Sequence, residues 1–447
     1  MLALLEGGAL FAAVCAIVMG WTGPPLLDWV DVALMLGQAF ALSACCVVAF
    51  YYNDLYDLHV ARSVSGVASR VVQAFGVAFI LLATFYTIFP DTRVAGGALL
   101  SSLLVVVGLL LPLRALTWAL TQSRLFTQRV LILGATALTL KIVMEIRARP
   151  HLGYKIVGIA DDPQPDASVL FPLPLRGPLE RLDKIVEETG PHRIIVALNE
   201  RRGRLPVSHL LDAQRRGIVA EDGAHVYERL SRKVAIESLT PSQLIFSTDF
   251  RKSRLELMAS RALSLAVSAA ALVICAPLLA LIALAVRLDS PGPAFFVQDR
   301  VGLDGRSFRL IKFRTMYADD RRASEWAGDN SDRITRLGAW LRKFRLDELP
   351  QFFNVLRGDL NLVGPRPHPV SNFEYFMEHI PYYAIRSVAR PGVTGWAQIR
   401  YGYANNLEEE TEKMRYDLYY IKHLSPWLDV RILVDTVKIV LFGRGAR

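Results

Sequence analysis

Four long apolar stretches crowd the first quarter of the chain: Leu2 to Trp21, Val32 to Phe50, Val71 to Phe89, and Gly96 to Leu111 with its continuation to Leu120. Each comes close to the roughly 20 residues a helix needs to cross a bilayer. An N-terminal four-helix transmembrane bundle over residues 1–120 is therefore expected. The connectors give its direction. Arg62 and Arg70 lie between the second and third stretches, and Arg114, Arg124 and Arg129 follow the fourth. Cationic loops stay on the cytoplasmic side, which puts both termini there. The first stretch has neither a basic flank nor a small-residue cleavage site, so it reads as a retained helix. At 447 residues, 52% of them hydrophobic, the chain is too long for one domain and too apolar to be wholly soluble.

The net charge of +9 suits a protein that lies on anionic lipid or handles phosphates. No basic-aromatic module accompanies it, so nucleic acid is not an expected partner. The four cysteines, Cys15, Cys45, Cys46 and Cys275, sit in apolar stretches without Cys-x-x-Cys spacing. Neither a disulfide framework nor a zinc centre follows.

Beyond Gln128 the pattern becomes that of a soluble α/β module. Val130 to Gly134 reads as a buried strand entering a helix from about Leu138 to Arg149, and Tyr154–Ala160 and Arg193–Leu198 read as further strands. This predicts a central α/β Rossmann-like domain over 121–240 with a parallel sheet. Gly134-Ala135-Thr136-Ala137 stands where a dinucleotide fingerprint would be, with one of three glycines present. The module reads as structural more readily than as a nucleotide site.

A linker is expected over 241–260, then an uncharged run, Ala262 to Val286, flanked by Arg261 and Arg287 and interrupted by Pro277. Basic residues on both flanks disfavour a simple crossing, and proline bends a helix. A re-entrant helix over 262–286 fits better, opening a C-terminal α/β domain over 261–447. A hairpin follows, Ala294 to Gln298 and Phe308 to Phe313 around Asp304-Gly305, with Lys312 and Arg314 expected side by side. Ile334, Leu337, Leu341 and Phe344 recur at helical spacing and put Arg342 and Arg345 on the opposite side. Then comes Leu346-Asp347-Glu348-Leu349-Pro350-Gln351, at the start of another helix, where the dipole should keep a carboxylate ionised. Capping alone explains such a pair in most proteins. Two Gly/Pro-rich loops keep it company: Asp359 to Pro367, and Arg390 to Gln398. They are expected to expose Arg366, Thr394 and Gln398.

From Arg261 to the C-terminus the sequence resembles the bacterial sugar transferases, the monotopic phosphoglycosyl transferases that prime exopolysaccharide and O-antigen assembly. The resemblance is carried by Lys312-Phe-Arg-Thr-Met316, Leu346 to Gln351, Val363-Gly-Pro-Arg-Pro367 and Pro391-Gly-Val-Thr-Gly-Trp-Ala-Gln398. The four-helix start and Rossmann-like middle look like the long polyprenyl-phosphate hexose-1-phosphate transferases. The resemblance implies an inner-membrane, multi-pass phosphotransferase with its catalytic domain on the cytoplasmic face. It implies that Asp347 attacks the β-phosphate of a UDP-sugar, that UMP leaves, and that polyprenyl (undecaprenyl) phosphate resolves the phosphosugar-enzyme. Glu348 would hold Mg2+, a hard cation that bridges carboxylates and phosphates. Lys312, Arg314, Arg342 and Arg366 would bind the substrate phosphates, and Asp359, Thr394 and Gln398 would belong to the surrounding loops. The family's Ser-Pro pair in the broken helix reads Ala276-Pro277 here.

The amphipathic stretch Trp427 to Phe442 is open to two readings, a helix at the membrane interface or a core helix. The aromatic run Phe373, Tyr375, Phe376, Tyr382 and Tyr383 is open between membrane contact and packing. A middle domain without an evident ligand loop points to self-association as a homodimer. Two other functions make distinct demands. A membrane-bound NAD-dependent dehydratase needs an intact glycine loop and a Tyr-x-x-x-Lys pair, and a non-catalytic scaffold predicts loss of the Asp-Glu pair or the Pro-Arg-Pro loop. The middle domain supplies neither dehydratase feature, and both transferase features are intact.

Overall fold

A computed structural model describes residues 2–22, 29–53, 55, 64–93, 101–102, 104–106, 108, 127–162, 173–198, 204–239, 252–317, 333–402 and 404–441. The described residues of the first unit of the fold include the helices α1 (Leu2–Thr22), α2 (Trp29–Tyr52) and α3 (Val64–Ile88). They are apolar nearly all round, as membrane helices are, and α2 packs against both others. Leu10, Val14, Leu42, Phe50, Ala74 and Ala78 form the shared core. Val32–Tyr52 and Arg70–Ile88 are long and apolar enough to cross a membrane, while the apolar part of α1, Glu6–Gly20, is shorter. Arg70 lies within α3 and not in a connector. Most of the fourth expected span, Gly96 to Leu120, lies outside the described residues, as does Arg62.

The α/β module runs β1 (Gln128–Leu133), α4 (Ala137–Ala148), β2 (Tyr154–Ala160), α5 (Leu182–Thr189), β3 (Arg193–Val196), α6 (Val207–Arg215), β4 (Val219–Asp222) and α7 (Gly223–Ser231). The strands lie in the order β2-β1-β3-β4, with β3 and β4 parallel. Strand β4 is absent from the sequence reading because it is short, ends in Glu221-Asp222 and carries no apolar run. The loop after β1 is closed from within: the Ala135 amide donates to Asp161 Oδ2 at 2.7 Å, and Arg204 donates to Asp161 Oδ1 at 2.7 Å. A buried carboxylate of this chain thus takes the amide that a phosphate bound at this helix start would need.

The C-terminal region opens with α8 (Arg254–Asp289), whose first turn is secured by a Ser253–Glu256 capping box. It begins inside the stretch expected as linker. Pro277 lies within the helix and not at a break in it. Arg254–Asp289 is the third helix long and apolar enough to cross a membrane. Both of its ends pack on the same domain. Near the start, Arg261 donates to the carbonyls of Leu360 and Val355, each at 2.7 Å, and the Leu362 amide donates to Ser264 Oγ. Near the end, Ile282 and Val286 pack with Phe313 and Leu341. Between them 269–281 contains no buried residue.

A hairpin follows, β5 (Phe295–Val301) against β6 (Ser307–Phe313). Then come α9 (Arg336–Lys343), a single 3-10 turn (Leu346–Glu348), α10 (Gln351–Arg357), β7 (Asn361–Val363), α11 (Val370–His379), a second 3-10 stretch (Tyr383–Val388), β8 (Gly392–Thr394), α12 (Trp396–Arg400), α13 (Leu407–His423) and α14 (Pro426–Leu441). Phe373, Phe376 and Tyr383 lie in the core, which decides the aromatic run for packing. Helix α14 answers to both readings offered for it: Ile432 is buried, while Trp427, Val430, Val434 and Val437 are exposed. Val234 and Ile236, from the segment after α7, fill the same core as Trp396 and Met414.

Candidate active site

Asp347 and Glu348 occupy the one-turn 3-10 helix just before α10, and both are 7% exposed. The turn is entered through Arg345 at φ 52°, a left-handed conformation that costs a side-chain-bearing residue energy and redirects the chain. Glu348 is gripped on both oxygens: Arg366 donates to Oε1 at 2.9 Å, and Arg345 Nη1 lies 3.6 Å from Oε2. Lys312 sits over the Phe296 ring, its cross-strand neighbour in the hairpin, with Nζ 5.1 Å from the centroid.

Charges within this site oppose one another. Burial, then the charge of Glu348, pushes Asp347 up to about 6, against the pull of Lys312, Arg342 and Arg366. Burial also presses Glu348 upward, but Arg366 and Arg345 outweigh it and hold that carboxyl below its usual range. Burial beside Arg300, Arg342 and Arg366 brings Lys312 down to about 8. The helix start does not hold Asp347 below its usual range, because a single turn before a seven-residue helix cannot offset burial and an adjacent carboxylate, yet a carboxyl at about 6 is still mostly ionised at neutral pH. The charges of Lys312, Arg300, Arg342, Arg345 and Arg366 all act on the two carboxylates, leaving an excess of positive charge. Such a site favours an anion with several charged oxygens.

The structure brings Lys312, Arg342 and Arg366 to the acidic pair but takes Arg314 elsewhere. Strand β6 ends at Phe313, and the alternation that would pair Arg314 with Lys312 ends there too. Arg314 turns inward, 6% exposed, and donates to the carbonyls of Ser290 and Pro291 at 2.6 and 2.8 Å. Gly292, at φ 124°, leaves room for that guanidinium, since a Cβ there would lie 2.0 Å from Nη1. Asp359 accepts from Asn354 at 3.0 Å and so braces α10. Thr394 is buried at the end of β8 and hydrogen-bonds Thr436 at 2.7 Å. Gln398 is 6% exposed, inside α12, and its amide has no hydrogen-bond partner among the described residues. Asp359 lies in the bend between α10 and β7, as expected of a loop residue, but Thr394 and Gln398 are not exposed as expected, because β7 and β8 pair and draw both Gly/Pro-rich motifs into the core.

Sequence reading missed Arg300. Its side chain donates to Gln298 Oε1 and, at 2.6 Å, to the Pro367 carbonyl. The signal was available: in the hairpin register Phe296 faces Lys312, and Arg300, four residues on, shares that side. Arg345 was noted as helical background, and only its backbone conformation swings it to Glu348. Among the described residues no three His, Cys, Asp or Glu side chains cluster as a protein-only metal cage. Two adjacent carboxylates do fit a cation that completes its shell with substrate oxygens.

A family model described as bacterial sugar transferase matches residues 255–443, and one described as CoA-binding domain matches residues 52–235. A UDP-N-acetylgalactosamine-undecaprenyl-phosphate N-acetylgalactosaminephosphotransferase from Aeromonas hydrophila is 40% identical over 50% of this chain and 52% of its own length. An undecaprenyl-phosphate glucose phosphotransferase from Komagataeibacter xylinus is 33% identical over 73% of this chain and 61% of its own. A UDP-glucose:undecaprenyl-phosphate glucose-1-phosphate transferase from Klebsiella pneumoniae is 31% identical over 82% of this chain and 80% of its own. The chain therefore spans about half of the first relative and about three-fifths of the second.

Proposed function

The chain belongs to the bacterial sugar transferase family, and from that premise we propose that it transfers a hexose-1-phosphate from a UDP-sugar to polyprenyl (undecaprenyl) phosphate, releasing UMP. The observation that carries this reading is the buried Asp347–Glu348 pair, with Arg366 and Arg345 on Glu348 at 2.9 and 3.6 Å and the charges of Lys312 and Arg342 acting on Asp347. It suits a diphosphate, and it leaves one carboxylate poorly neutralised and so available as a nucleophile. In the first step an Asp347 oxygen bonds to the sugar-bearing phosphorus. The bond from that phosphorus to the bridging oxygen breaks, and the electron pair leaves on UMP. In the second step a polyprenyl phosphate oxygen attacks the same phosphorus and releases Asp347. Covalent relay lets a water-soluble donor and a lipid acceptor use one site in turn. Lys312, Arg342 and Arg366 hold the phosphates and absorb the shifting charge. Glu348, oriented by Arg366 and Arg345, would hold Mg2+, which when bound supplies further neutralisation of the diphosphate.

Placement at the inner membrane, with this domain on the cytoplasmic face beside its nucleotide donor, belongs to the same proposal. The two ends of α8 meeting one domain, its uncovered middle, and the exposed apolar face of α14 support a helix that enters and leaves by that face. Priming of exopolysaccharide or O-antigen assembly follows from the product, and homodimer formation through the middle module is part of the proposal. The test is UMP release from UDP-glucose, UDP-galactose and UDP-N-acetylgalactosamine by membranes carrying wild type or Asp347→Asn, with Mg2+ and polyprenyl phosphate. Release from one sugar, abolished in the variant, is the expected result. No release from any sugar, or equal release by the variant, refutes the reading.

A further inference from the structure

Behind the Pro365-Arg366-Pro367 loop lies a group of fully buried charges that the proposed chemistry does not touch. Arg386, 4% exposed, is central to it. Its Nε donates to Asp417 Oδ2 at 2.9 Å, Nη2 approaches the same oxygen at 2.7 Å, and Nη1 meets the Tyr383 hydroxyl and, at 3.4 Å, Glu410 Oε1. Nη2 also donates to the main-chain carbonyl of Arg366 at 3.2 Å. A guanidinium is a rigid planar fork, so fixing its other donors fixes the direction of this one.

The loop itself explains why such a group is useful. Pro365, Pro367 and Pro369 have no N–H, so main-chain anchoring must run largely through carbonyls. Each carbonyl from 365 to 368 is in fact held: Pro365 by the Gly392 amide at 3.0 Å, Arg366 by Arg386, Pro367 by Arg300, and His368 by the Val301 amide at 3.0 Å. Buried ion clusters are a weak source of stability compared with apolar side chains of equal volume, so their presence asks for another reason.

We infer that Arg386 is a positioning residue for the transfer reaction: locked from behind by Asp417 and Glu410, it fixes the Arg366 main chain so that the Arg366 side chain meets Glu348. This rests on the reading of Asp347 and Glu348 as the reacting pair. Arg386→Lys keeps the charge and removes the fork. In purified full-length protein it should lower kcat for UMP release about 10-fold or more, as loss of a supporting partner does, with little change in KM. That loss should vanish when the same change is made in an Arg366→Ala background, because residues acting through one another are not additive. Asp417→Asn, nearly isosteric, should show the same pattern and serves if the lysine variant does not fold. Additive losses, unchanged kcat in both variants, or loss of the folded protein in both would overturn the inference and assign the cluster to stability. If the wild type releases UMP from no sugar, the reading of the acidic pair fails first and the inference falls with it.

Discussion

One carboxyl raised to about 6 beside another held below the usual range divides two roles between neighbouring residues. The same environment sets a pH window. In the proposed reaction Asp347 must be ionised to attack, and its raised pKa means that this form is lost as pH falls through about 6. Lys312 must be charged to hold phosphate, and its lowered pKa means that this form is lost as pH rises through about 8. The kcat/KM for UMP release should therefore be bell-shaped, with limbs near 6 and 8 that belong to the coupled site as a whole. A flat profile from pH 5 to pH 9 would contradict this charge balance. The residue identities here were legible from the motifs. Their protonation was not, because it depends on burial, on Arg300, which arrives from the hairpin, and on Arg345, whose left-handed backbone swings it to Glu348.

At the scale of elements, the two Gly/Pro-rich motifs are legible as segments that must turn tightly, but what they turn toward is each other. Strands β7 and β8 approach so closely at Gly364 and Gly392 that a Cβ on Gly392 would lie 2.1 Å from the Gly364 nitrogen. Gly392→Ala should force the strands apart, cost about 3 kcal/mol in thermal unfolding as overpacking does, and reduce activity by shifting the neighbouring Arg366. A variant as stable as wild type would show that the pair tolerates separation. The same pairing buries Thr394 and Gln398, which a reading of isolated loops leaves exposed. The hairpin, in contrast, was readable to within a few residues, because strand alternation and the Asp304-Gly305 turn are local signals. Arg314 was misread one residue beyond the point where that alternation stops.

Across the whole molecule, the boundary between the α/β module and the transferase domain is a packed seam. The Val234 amide donates to the Arg415 carbonyl at 3.0 Å, Trp396 Nε1 donates to the Arg232 carbonyl at 3.2 Å, and Glu228 holds Lys422 and His423 at 2.9 and 2.6 Å. Ile236, 5% exposed, belongs to the transferase core. Ile236→Ala should therefore destabilise the transferase domain by about 3 kcal/mol, through lost contacts and the cavity left behind, as read from Trp396 fluorescence on heating. An unchanged melting temperature would mean that the seam is loose. By itself the sequence determined the apolar helices, the alternating α/β text, the hairpin and the motif residues, since each is written in local periodicity, turn chemistry or residue type. Only the tertiary structure decided which cations reach the acidic pair, that Arg314 serves the end of α8, and that residues 234 and 236 complete the transferase core. Those outcomes depend on contacts between segments distant in the chain, whose geometry no local pattern encodes.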